Sequence, residues 1–496
     1  MRIHQFLSDQ AESRPDAIAL LDWDGTPWTF AQEWEAAQAG ADLLKLAGVQ
    51  RGDRVLMVTE NCATLCVFIF ACSIIGAWAV PVNARQTEAE LSRIIAHANP
   101  RVTLFMSSVS PDAKTHGERL NAHDVRGVWG NMKMVESAPS DAEIDKDVGV
   151  MLYTTGTTGT PKGVMLTHSN LVFASKLSTD TRGMLATDTV YGALPMSHVF
   201  GLVSMMIAAT FIGATVRLEA RFSPAKLFAA LNDGVTILPA VPQMHALLMQ
   251  YTAEQGIESI AGGPLRFVSS GAAPLDPVWK RKAEAFYGIA LQNGYGMTET
   301  SAGVTTTKSE FGDPDISVGP ALTGIEIAID ESAEGGGNGI GEVLTRGPHI
   351  MLGYFRNPDA TAAVLDKDGW MHTGDLGRID ENNLLHILGR SKELIIRGGF
   401  NIYPPEVEAA FNDHPKVIQS AVIGRRTSTG DEEVLAFVQL PVLGDVSESE
   451  LLAFVEKRLS PYKRPSRIIL ALDLPAAPTG KLLKHKLIDT FADQLD

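Results

Sequence analysis

Two short stretches of the 496-residue chain could do phosphate chemistry. Residues 153–163 read Tyr-Thr-Thr-Gly-Thr-Thr-Gly-Thr-Pro-Lys-Gly and follow the apolar run VGVMLY, which reads as a buried strand. Glycines let a backbone turn its amides inward, threonine hydroxyls add donors, and a lysine adds a point charge. That set suits a polyphosphate. A Walker A loop needs Gly directly before Lys and Ser or Thr after it; here Pro161 precedes Lys162 and Gly163 follows. The second stretch, Asn293-Gly294-Tyr295-Gly296-Met297-Thr298-Glu299, ends a candidate strand. Tyr295 offers a π-face for a purine, Thr298 a hydroxyl, and Glu299 a hard oxygen ligand of the kind Mg²⁺ takes alongside phosphate oxygens. Ser270-Gly271-Ala272-Ala273-Pro274 ends another candidate strand, and its small residues would let a ligand approach the backbone closely.

The elements that must hold these residues alternate. Strand-like runs such as DRVLMV, ATVRLE, VTILPAV and LRFVSSG are separated by helical patterns, which argues an α/β fold with stacked, mostly parallel sheets. After about residue 320 short strands and Gly/Asn/Asp turns predict an antiparallel, barrel-like segment. Beyond Gly389-Arg390 a compact α+β unit follows. The expected division is 1–390 for the large unit and 391–496 for a small one.

A net charge of −16 disfavours nucleic acid as a partner. Cys62, Cys66 and Cys72 lie in one apolar run with no nearby histidine, and read as small buried hydrophobes in a reducing compartment. The N-terminus lacks a secretory apolar stretch, and the run 62–80 reads as a buried helix and strand rather than a span. The expectation is a cytoplasmic protein without a transmembrane segment.

The TTGTTGTPKG stretch, with the further motifs in order to residue 481, resembles the adenylate-forming superfamily of acyl-CoA synthetases, peptide-synthetase adenylation domains and luciferases. The resemblance covers the whole chain. It implies that Thr154, Thr155, Gly156, Thr157, Thr158, Gly159 and Lys162 hold the β- and γ-phosphates of ATP. Gly271, Ala272 and Ala273 would line the adenine and acyl sites, beside Asn293, Gly294 and Gly296 of the second stretch. Tyr295 would stack on adenine, Thr298 would meet the α-phosphate and Glu299 would hold Mg²⁺. Asp375 in His372-Thr373-Gly374-Asp375 would accept from the ribose hydroxyls, with Arg390 near them. Lys481 in Pro478-Thr479-Gly480-Lys481 would bridge the acid and the α-phosphate. Lys392 would be the hinge of a mobile small domain, whose Gly398-Gly399-Phe400-Asn401 lines a channel for coenzyme A. His198 would stand near the acyl pocket and the thiol entrance.

The implied reaction is ATP-dependent activation of a carboxylic acid as acyl-AMP, then transfer to CoA; a carrier protein is the alternative acceptor. No Asp or Glu lies between Pro195 and Ala214, which disfavours an amino-acid substrate, and the same segment has no Lys or Arg. A second substrate carboxylate would need a partner from elsewhere, with His245 and Arg217 as candidates. Phe200, Met205, Met206, Val241 and Met244 are the apolar pocket candidates, which suit a fatty or aromatic monocarboxylate. The expected partners are the acid, ATP and CoA, with homodimerisation left open.

Overall fold

In the computed structural model the described residues are 1–138, 147–155, 161–271, 275–398, 400–427, 431–476 and 482–495. Two eight-stranded sheets and one four-stranded sheet build the large part of the molecule. In the first sheet the strands Phe267–Gly271 and Leu291–Met297 run parallel to each other and to Ile237–Ala240, and Ala302–Thr306 closes that edge antiparallel. In the second sheet Trp78–Asn83, Arg54–Thr59 and Val102–Phe105 are parallel, while Val148–Thr155 pairs antiparallel with Pro161–Thr167. The phosphate-loop motif is therefore flanked by two antiparallel strands rather than by a strand and a helix, which is where it parts from a Walker A loop.

The helix Ala63–Ile75 carries no polar stripe because it has no wet face: every residue from Ala63 to Ser73 is buried. It packs with Phe30–Leu46 in a core that draws on both large sheets. The three cysteines are free and buried there, and burial pushes the Cys62 thiol up to about 12. Among the described residues no helix is long and apolar enough to cross a membrane.

Glu326–Asp330, Gly341–Arg346, Met371–Ile379 and Leu385–Arg390 form the four-stranded antiparallel sheet. The C-terminal part folds around Gln419–Arg426, Glu432–Gln439 and Arg467–Ala471, with helices Pro404–Asn412 and Glu448–Glu456. Two apolar clusters there take all their buried members from residues 395–495.

Candidate active site

The hairpin Val148–Thr155/Pro161–Thr167 places Thr154 opposite Lys162. Gly156, Thr157, Thr158 and Gly159 lie outside the described residues, as does the side chain of Thr155. The Lys162 ammonium stands 4.7 Å from the ring centroid of Tyr354. Tyr354 sits on a two-residue strand, Gly353–Tyr354, paired to the hairpin. Its hydroxyl donates to Glu299 Oε1 at 2.8 Å. One phenol thus joins the phosphate-loop lysine to the expected metal-binding carboxylate. Burial, then the Glu299 charge, raises the Tyr354 pKa, so the hydroxyl stays a donor.

Glu299 is buried in a single 3₁₀ turn, Thr298–Thr300, and its carbonyl accepts from the Met351 amide at 2.9 Å. The turn is tight for a visible reason. A Cβ on Gly296 would lie 1.8 Å from the Ala302 carbonyl oxygen, so only glycine fits. Ser301 and Ala302 follow at φ +55° and +142°, conformations that cost non-glycine residues about 1–3 kcal/mol each. Strain therefore sits directly behind the residues that would meet the α-phosphate. Thr298 is half-buried at the start of this turn.

On the nucleoside side, the Tyr295 hydroxyl donates to Asp375 Oδ2 at 2.5 Å, and Arg390 Nε meets Asp375 Oδ1 at 2.8 Å. Asp375 and Arg390 face each other in register on neighbouring strands. Asp375 is buried and Tyr295 half-buried. Burial and the Asp375 charge push the Tyr295 phenol well up, which keeps its proton in place. Asn293 serves the fold: its Nδ2 donates to the Ser317 carbonyl at 3.0 Å and its Oδ1 accepts from the Gly294 amide. Gly294 and Gly271 lie in register on adjacent parallel strands. Ala272 and Ala273 are outside the described residues.

The acid side begins at His198, a half-buried residue preceding the short helix Val199–Gly201. A π turn, Leu202–Ile207, follows; such turns recur at functional sites. Phe200 sits so close to Gly271 that a methyl there would be 3.2 Å from its ring. Met205 and Met206 are wholly in the core, and Val241 and Met244 are buried near it. The two candidates for a second carboxylate are already paired. Arg217 meets Asp233 at 2.6 Å. His245 is fully buried between the Tyr287 hydroxyl at 2.7 Å and the Ser269 carbonyl at 3.3 Å, and burial lowers its pKa to about 4. It is neutral and enclosed, so neither residue is available to an acid.

In the C-terminal part Lys392 is exposed in the turn Ser391–Glu393. Gly398 is exposed at φ +57°, its amide donating to both Asp431 oxygens at 2.9 and 3.1 Å. Phe400 is exposed and stacks on Tyr462 at 4.6 Å. Gly399 and Lys481 lie outside the described residues, although Ala476 and Leu482 on either side of Lys481 form a β-bridge. Residues 473–476 line a cleft of about 670 Å³ whose other wall includes Glu60, Asn83, Arg85, Pro195, Ser197 and Arg221.

Glu299 suits Mg²⁺ in one particular way. One of its oxygens is held by Tyr354 and the other takes no hydrogen bond from the described residues. No group of three or more His, Cys, Asp or Glu gathers among the described residues. An ion here would draw its remaining ligands from phosphate and water, as Mg²⁺ does in nucleotide sites.

A large α/β unit that ties Lys162 to Glu299 through Tyr354 and Tyr295 to Arg390 through Asp375, with a small α+β unit at its cleft, has the architecture of an adenylate-forming enzyme. The chain belongs to the AMP-binding enzyme family: that family's model matches residues 7–355, and the model of its C-terminal domain matches 406–481. It is 32% identical to the 2-succinylbenzoate–CoA ligase of Geobacillus kaustophilus (strain HTA426), over 97% of this chain and 96% of that one. ATP-bound MatB from Rhodopseudomonas palustris superposes with a TM-score of 0.84 at 30% identity, covering all of both chains; apo MatB gives 0.74. The o-succinylbenzoate coenzyme A synthetase (MenE) from Bacillus subtilis in complex with ATP and magnesium gives 0.82 at 29% identity, covering 97% of this chain and 98% of that one. By these relatives the chain is an acid–thiol ligase of the acyl- or aryl-CoA type.

Proposed function

We propose that the protein is an ATP-dependent carboxylic acid:CoA ligase acting on an acid with an apolar or aromatic body. The observation that carries the reading is the pair of tethers at one site: Lys162–Tyr354–Glu299 on the phosphate side and Tyr295–Asp375–Arg390 on the ribose side. The half-buried Phe200 against Gly271 supplies a flat apolar wall beside the nucleotide strands.

In this mechanism residues 154–162 cradle the triphosphate, and Asp375 and Arg390 hold the ribose. Glu299 would hold a magnesium ion, which would supply charge neutralisation at the phosphates. A carboxylate oxygen of the acid attacks the α-phosphorus, the bond to the β-phosphate oxygen breaks, and pyrophosphate leaves. Thr298 and Lys481 stabilise the charge that develops in that step. The small unit, divided from the large one at 390/391, then turns about Lys392. Lys481 withdraws, and Gly398, Gly399 and Phe400 come to the site. The CoA sulfur attacks the acyl carbon past His198, and AMP leaves. The better superposition on ATP-bound than on apo MatB supports an adenylating arrangement for the present structure, as does the exposure of Phe400.

The test is pyrophosphate release across alkyl and aryl acids, with and without CoA, together with mass detection of the thioester. Turnover that depends on CoA and yields a thioester is expected. Release indifferent to CoA would shift the acceptor to a carrier protein or another nucleophile. No release with any acid would remove the ligase reading.

A further inference from the structure

A cation stands behind the apolar wall of the acid site. Arg182 ends the helix His168–Arg182, and its guanidinium lies 5.9 Å from the ring centroid of Phe200. Its Nη1 donates to the carbonyl of Ser204 in the π turn. That is the only hydrogen bond it makes to the described residues, and no carboxylate among them comes within ion-pair reach. The other arginines near this region are neutralised: Arg217 by Asp233, Arg266 by Asp188, and Arg221 by Glu60 and Asp112. An arginine has five N–H donors in a planar fork, and only Nη1 of Arg182 meets an acceptor among the described residues. The residue is nonetheless not sealed in the core, because it keeps partial solvent contact. Loss of solvent around the guanidinium lowers its pKa to about 10, which leaves it charged at neutral pH.

A surface helix-end arginine would satisfy the helix dipole while remaining fully hydrated. Arg182 gives up much of that hydration without gaining an acid, an arrangement that is costly unless an anion arrives. The geometry fits such an anion. Gly271 borders the nucleotide strands through Gly294, Phe200 packs on Gly271, and Arg182 lies beyond Phe200. An acid with one carboxylate at the α-phosphate would direct its other end along Phe200 toward this fork.

We infer that Arg182 receives a second carboxylate, so that the preferred substrate is a dicarboxylic acid with an apolar or aryl spacer. This rests on the ligase reading above and departs from the monocarboxylate expected from residues 195–214. That segment carries no cation of its own, but the neighbouring helix brings one to it.

The experiment compares each diacid with its own monomethyl ester, which keeps the spacer, adds one methyl group and loses one charge. Straight-chain diacids from malonic to sebacic, and the three benzenedicarboxylic acids, are assayed by CoA-dependent pyrophosphate release with the wild type, Arg182→Lys and Arg182→Gln. For the best diacid the wild type should favour it over its half-ester by about 10²-fold or more in kcat/KM, as sites built to pair a polar group do. Arg182→Gln should collapse that ratio toward one, and Arg182→Lys should retain part of it. The ratio is taken within one protein, so a variant with less folded enzyme still reports it. A wild type that turns over half-esters or monocarboxylates as well as diacids would overturn the assignment and leave the ligase intact. Equal loss on both members of each pair in Arg182→Gln would mean that the residue only braces the π turn. No release from any acid would instead remove the ligase reading and this inference with it.

Discussion

The hydroxyl of Tyr295 donates to the carboxylate of Asp375 at 2.5 Å across 80 residues of chain. The bond joins the next-to-edge strand of a mostly parallel sheet to an inner strand of an antiparallel one, and Arg390 completes it from the neighbouring strand. The ring proposed to stack on the purine and the acid proposed to hold the ribose are therefore fixed relative to each other by the protein itself.

Removing that bond should weaken nucleotide binding more than chemistry. A hydrogen bond to a charged group contributes about 1.5–3 kcal/mol. Tyr295→Phe keeps the stacking face, so KM for ATP should rise roughly 10- to 10²-fold with kcat changed little. Asp375→Asn should cost more, because it also removes the charge that Arg390 pairs with. Steady-state kinetics in ATP at saturating acid and CoA check this. A fall in kcat with unchanged KM would contradict the positioning role.

Tyr354 acts on the other side of the site. Tyr354→Phe frees the Glu299 oxygen and keeps the ring under Lys162. The magnesium concentration for half-maximal pyrophosphate release should rise about three- to tenfold, with most of the rate recovered at saturating magnesium. Glu299→Gln should lose about 10²–10³ in rate at every concentration. If Tyr354→Phe leaves the magnesium midpoint unmoved, the phenol does not orient the carboxylate.

Short contiguous motifs made much of this site legible. Chemistry that needs glycines, threonines and a lysine in one turn leaves them adjacent in sequence, as in residues 154–163, and the same holds for Tyr295 to Glu299. Tyr354 was not legible, because its contact depends on a two-residue strand pairing with a hairpin some 190 residues upstream. Arg182 was hidden for a related reason: helical spacing gives a face but not which turn of another segment lies under it. Arg217 and His245 were plausible as residue types, and only the structure showed Asp233 and Tyr287 against them. The edge hairpin His123–Gly127/Gly130–Glu136 was also missed. Its first strand, HDVRG, holds a single apolar residue, and its second, GNMKMVE, buries only Met132 and Met134, so the apolar signal is weak.

Lys481 separates the two half-reactions. Lys481→Ala should lose most acyl-AMP formation, by about 10²-fold or more. Thioester formation from supplied acyl-AMP and CoA should persist, because in the proposed mechanism the lysine has left the site by then. Rapid-quench measurement of each half-reaction decides it. Equal loss of both would mean that the residue holds the fold or the acyl-AMP rather than the adenylation transition state.

Glu33 makes a prediction about stability instead of turnover. It lies in the helix Phe30–Leu46, fully buried, and neither carboxyl oxygen has a hydrogen-bond partner among the described residues. Burial raises its pKa from 4.5 to about 8. The folded chain therefore holds a proton that the unfolded chain has released, and stability must fall as pH rises between those two values. The slope approaches about 1.4 kcal/mol per pH unit within the window and vanishes above it. Glu33→Met fills a similar volume without a carboxyl. Against the wild type it should gain little near pH 4.5 and about 2–4 kcal/mol at pH 7.5, read from denaturant unfolding across that range. Parallel pH profiles for the two proteins would show that the Glu33 carboxyl finds solvent or a partner in the folded chain.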